Sequence, residues 1–84
     1  MALYQKADAC DIWLPELMVG DSGATVGLVQ VILSVKGYHI PERFAGVFEA
    51  ETTRAVEDFQ RDMGLTVTGT VNKATWAFLL KLGW

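Results

Sequence analysis

The chain has 84 residues and a mass of 9.2 kDa, enough for one small domain. Hydrophobic residues make up 51% of the sequence and charged residues 20%, a balance that favours a packed core over intrinsic disorder. The formal net charge of -3 argues against a nucleic-acid-binding protein, which needs a basic surface. No run of about 18 apolar residues occurs, so we predict no membrane insertion.

The counts of cysteine and histidine disfavour two further kinds of chemistry. Cys10 is the single cysteine, so no internal disulfide can form, and His39 is the single histidine. A zinc site needs three or four clustered ligands, and these two residues lack that spacing; we predict no metal site and no cofactor. Residues 1–8 are polar where a signal peptide has its apolar region, so we predict no signal peptide in this chain.

The first predicted helix covers residues 25–36. Its β-branched residues would also suit a strand, but its length and its edges favour a helix. Gly37 follows it, as glycine commonly follows the last helical residue. The segment 21–23 offers side-chain oxygens that could cap the start of the helix.

Two further helices are predicted in the second half of the chain. The second ends before Gly64 and carries Glu49 and Glu51 at its start, where a helix N-terminus favours negative charge. The third covers residues 73–82 and begins after Asn72, a favourable N-cap residue. The inward face of the second helix comprises Thr52, Val56, Phe59 and Met63.

A repeated unit organises the connections between the helices. A turn glycine, a short extended piece and an amphipathic helix occur from Gly46 to Phe59 and again from Gly69 to Leu82. Residues 20–33 look like a degenerate third copy. The segment 14–17 is also predicted to be extended, because residues before proline avoid the helical region. Three such units predict three helices joined by returning extended segments.

Eight short motifs occur in a fixed order along the chain. They are Leu17-Met-Val-Gly-Asp-Ser-Gly23, Val26-x-x-Val-Gln30, Leu33-x-x-x-Gly37-Tyr38, Gly46-Val-Phe48, Thr52-x-x-Ala55-Val56-x-x-Phe59-Gln60, Gly64-Leu65, Gly69-Thr-Val71 and Thr75-Trp76. Together they resemble the peptidoglycan-binding domain of the PGBD-like family. The resemblance implies an all-α fold, a small closed three-helix bundle formed by residues 14–84, with residues 1–13 as an N-terminal arm or linker.

The resemblance also implies a function without catalysis. Domains of this family hold amidases, endolysins and other wall hydrolases on peptidoglycan. The implied partners are therefore peptidoglycan, through its muropeptides, and a covalently linked catalytic hydrolase domain in a longer protein. The implied location is the bacterial cell wall or the extracellular space, and we expect a monomer.

Two alternative functions stay open at this point. Relatives of this fold form the pro-domain of matrix metalloproteinases, so the module could bind another protein, although Cys10 lies on the wrong side of the domain for their cysteine switch. A minimal lytic enzyme would need a positioned acid–base pair or an activated nucleophile. The carboxylates look like surface and cap residues, and Ser22 and Ser34 lie in a predicted cap and helix, so we predict no catalytic residue.

The sequence departs from the family pattern at several turn positions. Ala45 and Thr68 stand where aspartate is usual, and Glu49 and Asn72 stand where glycine is usual. If the missing aspartates only stabilise turns, Thr68 and Asn72 can partly replace them. If they contact a ligand, the affinity or the specificity has changed.

The predicted binding site follows from the chemistry of a muropeptide. Its carboxylates call for cations or helix N-termini, and its sugar rings call for aromatic side chains. The segment after the first helix and the starts of the second and third helices supply such residues, and the repeat could turn both starts toward one groove. The predicted ligand-binding residues are Tyr38, Arg43, Phe44, Glu51, Arg54, Lys73 and Trp76.

Four polar residues of the repeats have two possible roles. Gln30 and Gln60 could bind a muropeptide, but we favour a role in tying helices to loop backbone. Thr52 and Thr75 fall in the first turns of their helices, where we expect local backbone hydrogen bonds.

Overall fold

The computed structural model describes residues 14–81, and within this range it contains three α-helices and no β-strand. Helix α1 spans Ala24–Val35, α2 spans Ala50–Met63 and α3 spans Lys73–Leu79. A short 3₁₀ helix, Glu42–Phe44, lies in the connection between α1 and α2. The prediction of an all-α three-helix domain is confirmed. Cys10, the arm of residues 1–13 and Leu82 lie outside the described residues.

Glycines end both long helices in the predicted way. Gly37 has a φ of 101° and Gly64 a φ of 77°, left-handed values that glycine adopts at low cost. In each case the next residue donates its backbone N–H to the carbonyl five residues back, Tyr38 to Leu33 O (2.8 Å) and Leu65 to Gln60 O (2.8 Å). This pairing is a Schellman motif, and it turns the chain sharply at the end of each helix.

The start of α1 differs from the prediction. Gly23 is the N-cap, and no side chain caps the helix. The Asp21 carboxylate instead accepts from the Met18 backbone N–H (2.9 Å), since it lies in the turn before the helix rather than at its first position. The predicted side-chain cap is therefore wrong, and a local turn uses this carboxylate.

Helix α3 is shorter than predicted. Asn72 caps its start by accepting from the Thr75 N–H (3.0 Å), as expected. The helix ends at Leu79, not at residue 82, because Lys81 donates to the carbonyl of Phe78, three residues back, in a tightened last turn. In the preceding turn the Thr68 hydroxyl accepts from the Thr70 N–H (3.2 Å). Thr68 and Asn72 thus stabilise the turn and the cap.

Short extended pieces return to one another between the helices. Ser22 and Val47 form an antiparallel bridge that joins the approaches to α1 and α2. Leu17 and Val71 form a second one, exchanging both backbone hydrogen bonds (3.1 and 2.8 Å), which ties the segment before α1 to the approach to α3. The extended segments predicted from the repeat are confirmed.

The core lies where the three helices and these extended pieces meet. On the helices Val29, Leu33, Val56, Phe59 and Leu79 are fully buried, while Phe78 is partly buried against the cluster. The inward placement predicted for Met63 is wrong: it is 40% exposed, because it is the last residue of α2. The loops add further apolar side chains. The other buried hydrophobic residues are Leu17, Val26, Ile40, Phe48, Ala55, Val71 and Trp76.

A buried glutamine joins α1 to the repeat unit that begins at Gly46. The Gln30 amide nitrogen lies 2.9 Å from Phe44 O, 3.0 Å from Val47 O and 2.9 Å from the Thr52 hydroxyl. Its amide oxygen accepts from the Gly46 N–H (2.7 Å). One side chain therefore fixes both the turn around Gly46 and the first turn of α2.

Gln60 makes the equivalent junction between α2 and the repeat unit that begins at Gly69. Its amide oxygen accepts from the N–H groups of Thr68 (2.9 Å) and Gly69 (3.0 Å). Its amide nitrogen reaches Thr70 O (2.9 Å) and the Thr75 hydroxyl (2.9 Å). The structural role favoured for the glutamines is confirmed.

The two threonines of the repeat receive these bonds. Thr52 and Thr75 are fully buried, and each hydroxyl accepts from a glutamine amide rather than serving its own backbone. The Thr75 hydroxyl also lies 2.8 Å from the Asn72 side-chain oxygen. The expectation of local backbone bonding is therefore wrong for these hydroxyl groups, because a partner from another helix reaches them.

We expect Phe59→Ala to lower the free energy of unfolding by about 3–5 kcal/mol, because it empties a fully buried ring site against which Tyr38 packs edge-on. Val35→Ala is the control, since Val35 is 81% exposed and alanine suits a helix; its effect should stay within about 0.5 kcal/mol. Urea denaturation measures both. Equal midpoints for Phe59→Ala and the parent would contradict the assigned core.

Gln60→Leu should cost about 2–4 kcal/mol, because it leaves the buried Gly69 N–H without an acceptor and breaks the bonds to Thr70 and Thr75. Amide hydrogen exchange should show faster exchange at Gly69. Arg61→Leu, at the adjacent exposed position, is the control and should change stability by less than about 0.5 kcal/mol. Unchanged exchange at Gly69 would show that another group holds this loop.

Candidate functional site

A cleft of about 250 Å³, here called the polar cleft, lies between the turn that follows α1 and the first half of α2. The turn forms one wall and the exposed side of α2 forms the other. Its lining residues are Gly37, Tyr38, His39, Pro41, Glu51, Arg54, Ala55 and Asp58.

Helix periodicity explains the wall on α2. Glu51, Arg54 and Asp58 are spaced by three and four residues, so they follow one stripe along the helix surface. Thr52, Val56 and Phe59 are buried on the opposite side, which fixes the rotation of α2 about its axis. The core therefore determines that acid, base and acid alternate along this wall.

Tyr38 forms the other wall and is held from two sides. Its ring packs edge-on against Phe59, with centroids 5.6 Å apart and planes at 89°. Its hydroxyl donates to the Asp62 carboxylate at 2.5 Å. The hydrogen bond to Asp62, followed by burial and the nearby negative charges of Asp62 and Asp58, raises the pKa of Tyr38 to about 12. The phenol thus stays protonated and bridges the turn to α2 at neutral pH.

Arg54 supplies an available cation in this cleft. Between residues 14 and 81 the structure contains one ion pair, from Arg61 to Asp58 (2.9 Å). Arg54 is exposed and makes no hydrogen bond or ion pair with the described residues, although Glu51 and Asp58 are its neighbours on the helix. A guanidinium without a partner beside carboxylates can bind an anionic group of a ligand while those carboxylates bind a cationic group.

The structure brings together three of the seven predicted binding residues. Tyr38, Glu51 and Arg54 line the polar cleft. His39 and Asp58 line it too but were not predicted. Asp58 follows Glu51 by seven residues, so the helical spacing could have indicated it; nothing in the sequence indicated His39.

Three other predicted residues lie away from the polar cleft. The Arg43 guanidinium stacks on its neighbour, 5.0 Å from the Phe44 ring centroid. Phe44 is partly buried against the core, and its carbonyl accepts from Gln30, so it supports its own loop. Lys73 is exposed at the first position of α3 and is not part of the cleft lining.

Trp76 lies in the core. It is only 2% exposed, and its indole N–H donates to Pro15 O (2.8 Å). A ring so enclosed cannot stack on a sugar, so the predicted binding role of Trp76 is wrong. The sequence placed it off the main face of α3, but the extended segment before α1 covers that side and uses the indole as a hydrogen-bond donor.

A second cleft, of about 280 Å³, lies beside the exposed side of α1. Val31, Val35, Ile40 and Pro41 make it apolar, and Glu42 is its single charged residue. It offers no cation to the carboxylates of a muropeptide. The polar cleft is therefore the better candidate site. Across residues 14–81 no group of three or more potential metal-ligating side chains occurs, and no helix is long and apolar enough to cross a membrane.

A family model supports the assignment made from the motifs. Residues 22–79 match the model described as "Putative peptidoglycan binding domain", which covers more than half of the chain. The protein therefore belongs to the peptidoglycan-binding domain family, and the predicted family is confirmed.

The chain is also similar to individual proteins. The chain is 39% identical over 57 residues to a "Probable CtpA-like serine protease" of Staphylococcus saprophyticus, covering 68% of this chain and 11% of the protease. The N-terminal domain of SleB superposes with a TM-score of 0.76 at 31% identity, over 81% of this chain and 92% of that one. The endolysin of Burkholderia phage AP3 superposes with a TM-score of 0.75 at 30% identity, over 80% of this chain and 25% of the endolysin. The chain thus spans only a small part of the protease and of the endolysin.

The Tyr38–Asp62 bond predicts a dependence of stability on pH. Because folding raises the pKa of Tyr38 from 10.0 to about 12, its contribution should be complete below about pH 10 and disappear as the pH rises through about 12. Tyr38→Phe should therefore be less stable than the parent by about 1 kcal/mol at pH 8, and this gap should shrink above pH 10.

Urea denaturation at several pH values measures that gap. The ultraviolet absorbance of the phenolate, taken as parent minus Tyr38→Phe, separates Tyr38 from Tyr4 and should show a transition near pH 12. A transition near the ordinary pKa of 10 would show that Asp62 does not hold the hydroxyl.

Proposed function

We propose that this chain is a non-catalytic module that binds peptidoglycan through the polar cleft and holds a linked wall hydrolase on the bacterial cell wall. The observation that carries the proposal is Arg54, which has no hydrogen-bond or ion-pair partner among residues 14–81 and lies between Glu51 and Asp58 in a cleft of a peptidoglycan-binding domain. Membership of the family supports the ligand class, and the endolysin among its structural neighbours supports the linked hydrolase.

Because the chain is acidic overall, it must recognise the cell wall through a local group of charges. With a net charge of -3, the protein as a whole is not attracted to an anionic wall polymer. A guanidinium can still bind a carboxylate of a stem peptide in two parallel hydrogen bonds. We therefore attribute affinity to the few charged groups in the polar cleft and not to an electrostatic surface.

The make-up of the polar cleft supports binding rather than hydrolysis. General acid–base catalysis needs two groups with distinct roles near the reacting atoms, in a site that excludes bulk water. Here Asp58 is engaged by Arg61, and Arg54 separates Glu51 from Asp58 along the helix. A binding module of this kind accelerates a linked hydrolase by raising its concentration at the wall.

Co-sedimentation with purified insoluble sacculi tests the function. The parent should sediment with the sacculi and leave their turbidity unchanged. Arg54→Gln should weaken binding by at least about tenfold, since it removes the charge at an exposed position without disturbing the core. Lys81→Gln is the control: it removes the same charge from an exposed residue outside the polar cleft and should bind like the parent.

Three outcomes would contradict this proposal. A parent protein that stays in the supernatant at high sacculus concentration would favour the alternative of a protein-binding or pro-domain-like module. Falling turbidity would indicate a lytic enzyme. Equal losses for Arg54→Gln and Lys81→Gln would place the site elsewhere or show a dependence on overall charge.

A further inference from the structure

The polar cleft is suited to one small group that carries both signs of charge. Its volume of about 250 Å³ is below the roughly 300–1,000 Å³ of pockets that enclose a drug-sized ligand, so it holds about one residue of a polymer at a time. Its side chains alternate in charge from Glu51 through Arg54 to Asp58. A ligand with a single charge would meet an unfavourable neighbour on at least one side.

The charged groups of the cleft, more than its rings, decide which part of the wall fits. Tyr38 contacts Phe59 with the ring planes at 89°, and its hydroxyl donates to Asp62. Trp76, the predicted stacking surface for a sugar ring, is enclosed in the core. Three charged side chains in one cleft match the charged stem peptide better than the uncharged glycan strand.

We infer that the polar cleft recognises a zwitterionic amino-acid centre, with an ammonium and a carboxylate on the same carbon, at the free end of a diamino acid in the stem peptide. This inference rests on the proposed function and names the group that the same site reads. The guanidinium of Arg54 binds the carboxylate in two parallel hydrogen bonds. Glu51 and Asp58 flank Arg54 on the helix, and their carboxylates accept hydrogen bonds from the ammonium. Asp58 does so in exchange for its exposed bond to Arg61.

This arrangement distinguishes wall types by chemistry at one carbon. A diaminopimelate side chain in an uncrosslinked stem ends in such a centre. A lysine side chain ends in an ammonium alone, and leaves Arg54 without a partner. An amidated diaminopimelate keeps the ammonium but replaces the carboxylate by a neutral amide, which a guanidinium binds more weakly than an anion.

Isothermal titration calorimetry with three soluble tripeptides tests the inference. The probes are L-Ala-γ-D-Glu with a third residue of meso-diaminopimelate, its side-chain amide, or L-lysine. The parent should bind the diaminopimelate peptide at least about tenfold more tightly than the other two. Arg54→Gln should remove this preference, so that all three peptides bind equally weakly, and Lys81→Gln should retain it. Glu51→Gln should weaken the binding of all three, because each carries the ammonium.

The outcomes separate this inference from the proposed function. Equal affinities of the parent for the three peptides, or no binding of any of them at about 10 mM, would overturn the zwitterion assignment even if the protein sediments with sacculi. A preference that survives in Arg54→Gln would also overturn it, since another group would then read the carboxylate. A parent that binds neither sacculi nor peptides would overturn the proposed function itself.

Discussion

The fold depends on two buried glutamine side chains, each of which closes a junction between one helix and the next repeat unit. Gln30 holds the turn at Gly46 and the start of α2, and Gln60 holds the loop at Gly69 and the start of α3. A chain of this size has a small core, so loops that would otherwise open at little cost need directed bonds. An amide suits this task because it offers an acceptor and two donors on one rigid plane.

These junctions determine where the candidate site lies. The bond from Gln30 to Thr52 fixes the first turn of α2, and burial of Phe59 fixes its rotation, so Arg54 must face outward. The left-handed turn at Gly37 reverses the chain after α1 and brings Tyr38 back over α2. The polar cleft is therefore a consequence of how the helices are joined. Its charges lie on α2, since α1 carries no charged residue at all.

The sequence predicted the fold better than the site, for physical reasons. Helix number, glycine ends, the Asn72 cap and the extended returns are local features, encoded by spacing and by residues with restricted preferences. The repeat added long-range information by making two junctions equivalent. The errors arose where a distant segment intervened: the extended segment at Pro15 covers Trp76, and glutamines from other helices reach Thr52 and Thr75. His39 enters the cleft only through the path of the turn, which spacing does not determine.

We propose that ligand binds between the turn after α1 and the first half of α2. The most direct measurement is an amide chemical-shift titration of the isotope-labelled protein with muropeptides released from a diaminopimelate-type wall. The largest shifts should fall on Tyr38, His39, Glu51, Arg54 and Ala55, and Leu28, Val31 and Val35 on the exposed side of α1 should stay nearly unchanged. The largest shifts on α1 or on α3, with the polar cleft unaffected, would contradict it.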